Sequence, residues 1–164
     1  MKGNIGKVGM GGGCHWCTEA VFNALKGVIN VEQGYIASTN ENDSFSEGVL
    51  VHYNLNEISL KDLIYVHLHT HASASAHSFR KKYRSAVYSY EKSEIEEVEK
   101  IIDELQKNFE STLITRALPF SEFEPSRMSL RQYYEKNKEA PFCQRYIVPK
   151  LDFINKNFKE LERV

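Results

Sequence analysis

Two cysteines three residues apart, Cys14 and Cys17, are the side chains in this sequence most suited to chemistry. They follow three glycines, Gly11 to Gly13, and hydrophobic residues recur after them at helical spacing, so we expect Cys14 in the first turn of a helix. Unpaired N–H groups and the helix dipole lower the pKa of a thiol at that place, and glycine backbones let a substrate oxygen approach closely. Cys14 is therefore a candidate nucleophile. Cys17 lies on the same helical face, where its sulfur can reach Cys14 after oxidation.

Three other interpretations of this stretch are weaker. A cysteine is often only a small buried hydrophobic residue, but a glycine turn followed by Cys-x-x-Cys is an unusual setting for one. A zinc site would need further ligands from scattered histidines. The pattern Gly9-x-Gly11-x-x-Cys14 imitates a dinucleotide-binding loop, but a cysteine occupies the third glycine position. The stretch thus favours thiol chemistry.

Glu47 is a further candidate, near the start of a strand predicted over residues 45–53. In that strand Glu47 shares one face with Val49, Val51 and Tyr53. A carboxyl group there lies either at the solvent-exposed rim or protonated in a pocket. The strand taken alone favours the rim.

Three histidines, His67, His69 and His71, crowd the end of a helix predicted over residues 60–71, which residues 56–59 can cap. His67 and His71 are four residues apart and share a face, so they could bind a metal. Histidines in the last turn of a helix more often interact with free carbonyl groups and the dipole. We therefore expect no metal at this place.

The other elements must position these side chains. Hydrophobic periodicity predicts strands over residues 5–10, 28–36, 83–90 and 112–118, a charged helix over 91–109, a short helix from Ser129 through Tyr134 and an amphipathic helix over 149–164. Loops are predicted over residues 38–44, 72–82 and 119–128. Strands and helices alternate, which indicates an α+β or α/β sandwich with helices covering a mixed sheet.

Composition limits the classes of protein to consider. At 164 residues the chain is long enough for one domain, residues 1–164, with a substantial core. A net charge of -1 argues against nucleic acid as the main partner. No hydrophobic run approaches membrane-spanning length and no export signal is visible, so we expect a cytoplasmic protein without a membrane partner. Three cysteines then fit redox or catalytic use better than a disulfide framework.

Several short motifs occur in a fixed order. They are Gly13-Cys14-His15-Trp16-Cys17-Thr18-Glu19, Gly34-Tyr35, Ser46-Glu47 before Val49-Leu50-Val51-His52-Tyr53, and Tyr83-Arg84-Ser85-Ala86. With these motifs the chain resembles the A-type peptide-methionine sulfoxide reductases. The pattern of that family is Gly-Cys-Phe-Trp-Gly-x-Glu, Gly-Tyr, His-Ala-Glu before a strand, Asn-His-Asp and Tyr-Arg-Ser. The landmarks recur over most of the chain.

The resemblance implies a fold and a reaction. The fold is α+β, a ferredoxin-like split βαβ two-layer sandwich with extra helices and a C-terminal extension. The reaction is reduction of the S epimer of methionine sulfoxide, free or in peptides and proteins, without a cofactor. Thioredoxin or an equivalent dithiol then restores the enzyme.

The resemblance also implies roles for single residues. Cys14 is the nucleophile, Glu47 is the acid that protonates the sulfoxide oxygen, and Tyr83 is a further donor to that oxygen. This reverses the preference for the rim, because a Glu buried in an apolar pocket stays protonated and can donate. Trp16 belongs to the pocket for the substrate methyl group.

The resolving cysteine, which attacks the Cys14 sulfenic acid, is left open between two candidates. Cys143 is favoured by its position near the C-terminal resolving cysteine of the family. Cys17 is favoured by its closeness to Cys14 in sequence.

Some positions depart from the family pattern. His15 replaces Phe beside the methyl pocket, where it makes the substrate site more polar or adds a titrating neighbour to Cys14. Cys17 replaces Gly. Ser78 falls where Asp is usual, so the oxygen site is expected to be rebuilt, with His77 or Ser78 binding substrate.

Two other functions compete with sulfoxide reduction. A general thiol-disulfide oxidoreductase would work through Cys14 and Cys17 and would not need Glu47. A non-catalytic metal or redox-sensing module would use these cysteines with His67 and His71, and it would contain stoichiometric zinc.

Overall fold

The structure is a computed structural model that describes residues 4–75 and 82–163. Within these residues the strands are β1 (Ile5–Gly11), β2 (Val28–Ala37), β3 (Ser46–Asn54), β4 (Ala86–Ser89), β5 (Arg116–Pro119) and β6 (Glu122–Pro125). The α-helices are α1 (His15–Asn23), α2 (Leu60–Thr70), α3 (Lys92–Leu105), α4 (Tyr133–Lys136) and α5 (Val148–Asn157). A π-helical turn over Cys143–Ile147 leads directly into α5.

The strands form a sheet in the order β5-β4-β1-β3-β2-β6. Its centre, β4-β1-β3-β2, is built from two β-α-β units, β1-α1-β2 and β3-α2-β4. β1 and β3 lie inside it and pair antiparallel with their neighbours. β5 is added parallel to β4, and β6 antiparallel to β2. The predicted ferredoxin-like α+β sandwich is confirmed.

Helices α1, α2, α3 and α5 contribute to one large hydrophobic core on one face of the sheet. From β3 this core takes Val49, Val51 and Tyr53, whereas Leu50 points to a smaller cluster on the other face. The alternation predicted for β3 is thus confirmed, with both faces covered. Glu47 is in register with this helix-covered face at the start of the strand.

Local signals explain several element boundaries. The Ser59 side chain accepts a hydrogen bond from the Asp62 N–H at 3.0 Å, and Asp62 accepts in return from the Ser59 N–H, which caps α2 as predicted. In α3, the side chains of Val98, Ile101, Ile102 and Leu105 are buried and form the core-facing stripe.

The strand predicted over residues 83–90 is shorter and begins at Ala86. Before it, the Lys82 carbonyl accepts from the Glu47 N–H at 3.0 Å, and the Arg84 N–H donates to Ser46 Oγ at 2.7 Å. The Arg84 guanidinium also donates to the Ile36 carbonyl at 3.0 Å. These long-range bonds hold the segment against the start of β3 instead of extending β4.

The loop predicted over residues 119–128 is wrong, because it contains β6. This edge strand pairs only with β2, its glutamates face solvent and proline ends it, so its sequence lacks the hydrophobic alternation of a strand.

The C-terminal predictions also need correction. The helix predicted over residues 149–164 ends at Asn157, after which Phe158 packs into the core and Leu25 bridges to Glu162. The short helix predicted from Ser129 begins instead at Tyr133, because Gln132 has a left-handed backbone with φ 54°. In the part of the chain that is described, no helix is long and apolar enough to span a membrane.

Candidate active site

The glycine turn between β1 and α1 brings Cys14 close to the end of α2. Gly12 has φ 154°, a conformation that side chains disfavour, and a Cβ there would overlap the His71 ring. Glycine at this position therefore lets the turn lie directly on His71.

Cys14 is the N-cap of α1, one residue before the predicted first turn. Its carbonyl accepts hydrogen bonds from the N–H groups of Cys17 and Thr18, both at 3.1 Å. The sulfur is partly exposed and lies at the end of the helix where N–H groups have no helical partner.

The thiols of Cys14 and Cys17 are hydrogen-bonded to each other. This bond is the largest cause that lowers the pKa of Cys14, and the N–H groups of Trp16 and Cys17 lower it further, against burial and the charge of Glu47, which raise it. The lowered pKa expected from the helix start is confirmed, but the neighbouring thiol contributes most. For Cys17 the same bond, burial and the charge of Cys14 raise the pKa, whereas Lys150 lowers it.

Cys143 lies behind this pair and is fully buried. It belongs to a small cluster with Cys17, Ala20 and Ile147, against which Cys14 packs. Burial raises the pKa of the Cys143 thiol, and a charge on Cys143 would raise that of Cys17. All three cysteines therefore lie together, and the Cys17 thiol is close enough to interact electrostatically with both Cys14 and Cys143.

Glu47 is buried, with 8% of its surface exposed, so it lies away from the rim, as expected once the resemblance reverses the first preference. The apolar character expected for its pocket is wrong, because the His15 ring and Lys82 flank the carboxyl group. Oε1 accepts from the His15 N–H at 3.1 Å and lies 3.6 Å from His15 Nε2, and Oε2 lies 3.6 Å from Lys82 Nζ. The carboxylate interacts electrostatically with Cys14.

An open cavity of about 690 Å³ lies over the cysteine pair. It is lined by Gly12, Gly13, Cys14, Cys17, His71, Ala72, Tyr83, Phe142, Tyr146 and Lys150. The predicted nucleophile and the predicted oxygen donor Tyr83 are thus brought to one cavity, together with the Cys17 thiol. The C-terminal segment, residues 128–163, contributes Phe142, Tyr146 and Lys150 to the wall, so this part of the wall is mostly aromatic.

His15 and Trp16 are not among the described residues that line this cavity, and their contacts with substrate stay predictions. Trp16 is covered by the C-terminal segment: its ring stacks on Tyr133 at 3.9 Å and meets the Phe142 ring edge at 5.2 Å. His15 is buried beneath β2, with its ring edge against Tyr35. The other predicted substrate-binding residues, His77 and Ser78, lie outside the described residues.

His67 and His71 take part in hydrogen bonds around the glycine turn. His67 Nε2 donates to the Gly11 carbonyl at 2.8 Å, and His71 Nδ1 donates to the His67 carbonyl at 2.5 Å. His71 Nε2 then accepts from Ser85 Oγ at 2.8 Å. Among residues 4–75 and 82–163, no group of three or more possible ligands is placed to hold a metal ion.

The sequence prediction missed Lys82, Lys150 and Phe142 as neighbours of the site. Lys82 directly precedes the Tyr-Arg-Ser motif, and Lys150 lies seven residues after Cys143, a helical spacing that places both on one face. Phe142 was visible only as the residue before Cys143. The sequence positions of Lys150 and Phe142 indicate a role at the site only when the C-terminal segment is known to pack on α1.

Comparisons with known proteins identify the family of the chain. The family model described as peptide methionine sulfoxide reductase matches residues 6–162. The peptide methionine sulfoxide reductase MsrA of Thermus thermophilus is 29% identical over 168 residues, covering 94% of this chain and 96% of that protein.

Solved structures share the fold. Mxr1 from Saccharomyces cerevisiae in reduced form has a TM-score of 0.76 at 20% identity, covering 89% of this chain and 93% of that chain. Mxr1 in complex with Trx2 has a TM-score of 0.62 at 20% identity, covering 81% and 87%. With the family model matching nearly the whole chain, this protein is an oxidoreductase that belongs to the peptide methionine sulfoxide reductase family.

Proposed function

We propose that this protein reduces the S epimer of methionine sulfoxide through a sulfenic acid on Cys14. The observation that carries the proposal is the position of Cys14: its pKa is lowered, it faces the cavity that Tyr83 lines, and it interacts with the buried carboxyl group of Glu47. Attack on a sulfoxide needs a thiolate, and the oxygen must be protonated to leave the sulfur. The family supports methionine sulfoxide reduction, and the epimer is the one that the A-type resemblance implies.

The reaction balances with the groups present. The Cys14 thiolate attacks the sulfoxide sulfur while Glu47 gives a proton to the oxygen, and Tyr83 donates a hydrogen bond to that oxygen. The hydroxyl then moves from the substrate sulfur to the Cys14 sulfur as the bond between the two sulfurs breaks. Cys14 is thereby oxidised to a sulfenic acid, and the substrate leaves reduced, as methionine.

Cys17 is the proposed resolving cysteine. Its sulfur contacts Cys14, and two causes that raise its pKa are the hydrogen bond to Cys14 and the charge of Cys14. The charge of Cys14 disappears once Cys14 is a neutral sulfenic acid, whereas Lys150 remains to favour the Cys17 thiolate. Attack of Cys17 on the Cys14 sulfur forms the disulfide and releases water.

Cys143 is then the second resolving cysteine, because it packs against Cys17. The Cys143 sulfur attacks the Cys17 sulfur, the Cys14–Cys17 bond breaks, and Cys14 leaves as a thiolate. Its thiol is buried, so a C-terminal movement must accompany exchange. Recycling by thioredoxin or another dithiol is supported by the structure of Mxr1 in complex with Trx2.

The test is reduction of the separate S and R epimers of a methionine sulfoxide peptide with dithiothreitol as reductant. Wild type is expected to reduce the S epimer only, Cys14→Ser to be inactive, and Glu47→Gln to lose about 100-fold or more of the rate, as expected for a general acid. Glu104→Gln is the matched control, since Glu104 pairs with Lys61 on an exposed surface.

A general thiol-disulfide oxidoreductase remains the competing function, because Cys14 and Cys17 alone suit disulfide exchange. It predicts that Glu47→Gln keeps full disulfide exchange activity and that neither epimer is reduced. That pair of results would overturn the proposed function.

A further inference from the structure

His15 forms two close contacts with Glu47. Its backbone N–H donates to Glu47 Oε1 at 3.1 Å, which is possible because the first N–H groups of α1 have no helical partner. Its ring Nδ1 lies 2.9 Å from the Gly34 carbonyl. A carbonyl only accepts, so Nδ1 carries the proton and Nε2 is the nitrogen 3.6 Å from the same carboxylate oxygen.

The two side chains are removed from water together. His15 is 4% exposed, and the Glu47 side chain is 10% exposed. A buried carboxylate without a counter-charge is costly, and so is a buried imidazolium. One proton on either Oε1 or Nε2, which lie 3.6 Å apart, makes the pair neutral overall, either as a carboxylic acid facing imidazole or as a carboxylate facing imidazolium.

This charge balance matters for Cys14. The negative charge of Glu47 raises the pKa of Cys14, so a carboxylate without a partner disfavours the thiolate. Attack on the sulfoxide requires the thiolate and a proton for the oxygen at the same time.

We propose that His15 and Glu47 hold one proton between them, and that His15 is a positioning residue that acts through Glu47 to keep the pair neutral while Cys14 is a thiolate. The inference rests on the proposed function, in which Glu47 is the acid. It assigns the proton donor in the reaction to a pair of side chains instead of one.

In the first half-reaction, the proton that the sulfoxide oxygen receives is the one that the Cys14 thiol loses. Cys14 loses its thiol proton and the pair gains one. Glu47 then gives this proton to the sulfoxide oxygen as the Cys14 sulfur attacks, and the pair returns to a carboxylate with a neutral imidazole. The net change is that a thiol and a sulfoxide become a sulfenic acid and a thioether.

Other titratable or charged groups face the pair. They are Cys14 and Glu19 from α1 and its cap, Tyr35 from β2, and Lys82 before β4. Lys82 is largely exposed, so water screens its charge, whereas the ring of His15 is buried against the carboxylate. Glu19 accepts from Gln33 Nε2 at 2.9 Å and from the Gln132 N–H at 3.0 Å, so its oxygens have partners of their own.

The test measures the pH dependence of Cys14 alkylation by iodoacetamide, with mass spectrometry of the peptide that contains Cys14. His15→Asn keeps an N–H that can reach the Gly34 carbonyl but cannot titrate, and it leaves the backbone bond to Glu47 intact. We expect this variant to alkylate about tenfold more slowly near pH 7, equivalent to a rise of one pKa unit for Cys14. Glu47→Gln and the double variant complete a thermodynamic cycle.

The expected cycle is strongly non-additive. In the Glu47→Gln background, His15→Asn should leave alkylation unchanged, because the charge through which His15 acts is gone. An equal slowing in both backgrounds, or no slowing in either, would overturn the proposal. Circular dichroism checks that each variant is folded. If His15→Asn is unfolded, His15→Gln is used in its place.

This outcome is separate from the proposed function, because alkylation does not require sulfoxide turnover. If wild type reduces the S epimer and Glu47→Gln does not, but His15→Asn has the wild-type pH profile for reduction, the function stands and the proton pair fails. If neither epimer is reduced, the proposed function fails, and with it the role of the pair in proton donation.

Discussion

Tyr133 stacks on Trp16 with the ring centroids 3.9 Å apart and the planes 5° from parallel. The stack joins α4 to the start of α1, and the Phe142 ring lies nearly perpendicular to the indole in the same cluster. The C-terminal segment therefore covers the aromatic residue that the sequence assigns to the substrate methyl group, and it carries Cys143 on the same stretch.

Tyr133→Leu should lower the free energy of unfolding by about 0.5–1.5 kcal/mol, since it removes an aromatic pair but keeps an apolar side chain. Trp16 is the only tryptophan of the chain, so its fluorescence reports the stack directly. The emission should shift to longer wavelength as water reaches the indole. Tyr90→Leu is the matched control, because the Tyr90 ring stacks on Phe120 at 4.4 Å instead of on Trp16. Equal shifts in both variants would contradict the stack.

Cys17→Ala should move the alkylation curve of Cys14 to higher pH. The Cys17 thiol donates the hydrogen bond that contributes most to the lowered pKa of Cys14, so its loss raises that pKa and reduces the thiolate fraction near pH 7. Each pKa unit corresponds to about tenfold in thiolate when the pH is below the pKa. Cys17→Ser keeps a donor and should retain much of the effect. A larger shift for Cys17→Ser than for Cys17→Ala would contradict this assignment.

Gly12→Ala should destabilise the protein by about 1–3 kcal/mol, because a side chain is strained at φ 154° and its Cβ would overlap His71. Chemical denaturation measures the change. Gly13→Ala is the matched control for stability, since its Cβ would lie 4.0 Å from the nearest atom, His71 Cβ. An equal loss of unfolding free energy in both variants would contradict the close contact between Gly12 and His71.

Lys150→Met should slow formation of the Cys14–Cys17 disulfide by about three- to tenfold near neutral pH, because Lys150 lowers the pKa of Cys17 and its loss leaves less thiolate. Rapid quench with mass spectrometry after one turnover measures the rate. Raising the pH should restore the rate of the variant. Lys156→Met, on the exposed side of α5, is the control and should form the disulfide at the wild-type rate at each pH. An equal loss of rate in Lys156→Met would contradict the effect assigned to Lys150.

The sequence predicted the parts of the site that depend on local patterns. Cys14 and Cys17 follow from the spacing of two thiols at a helix start, and the face of Glu47 follows from alternation in β3. The short polar strand β6 was missed because edge strands of this kind lack the hydrophobic alternation on which the prediction depends.

The surroundings of Glu47 were predicted wrongly for a different reason. Its partner His15 is 32 residues away in sequence. The Glu47 N–H donates to the carbonyl of Lys82, which follows α2 in the chain. Similarly, Tyr133 reaches Trp16 only because the C-terminal segment folds back over α1. No local pattern specifies such contacts, so the sequence identified the reacting groups but not what surrounds them.

A single turnover without reductant tests the central claim most directly. Reduced protein is mixed with one equivalent of the S epimer of a methionine sulfoxide peptide, and both peptide and protein are analysed by mass spectrometry. We predict one methionine formed for each intramolecular disulfide in wild type, Cys14–Cys17 first and Cys17–Cys143 after exchange, and a Cys14 sulfenic acid trapped by dimedone in Cys17→Ser. A disulfide that forms without loss of the sulfoxide, or reduction of the sulfoxide that persists in Cys14→Ser, would contradict the account.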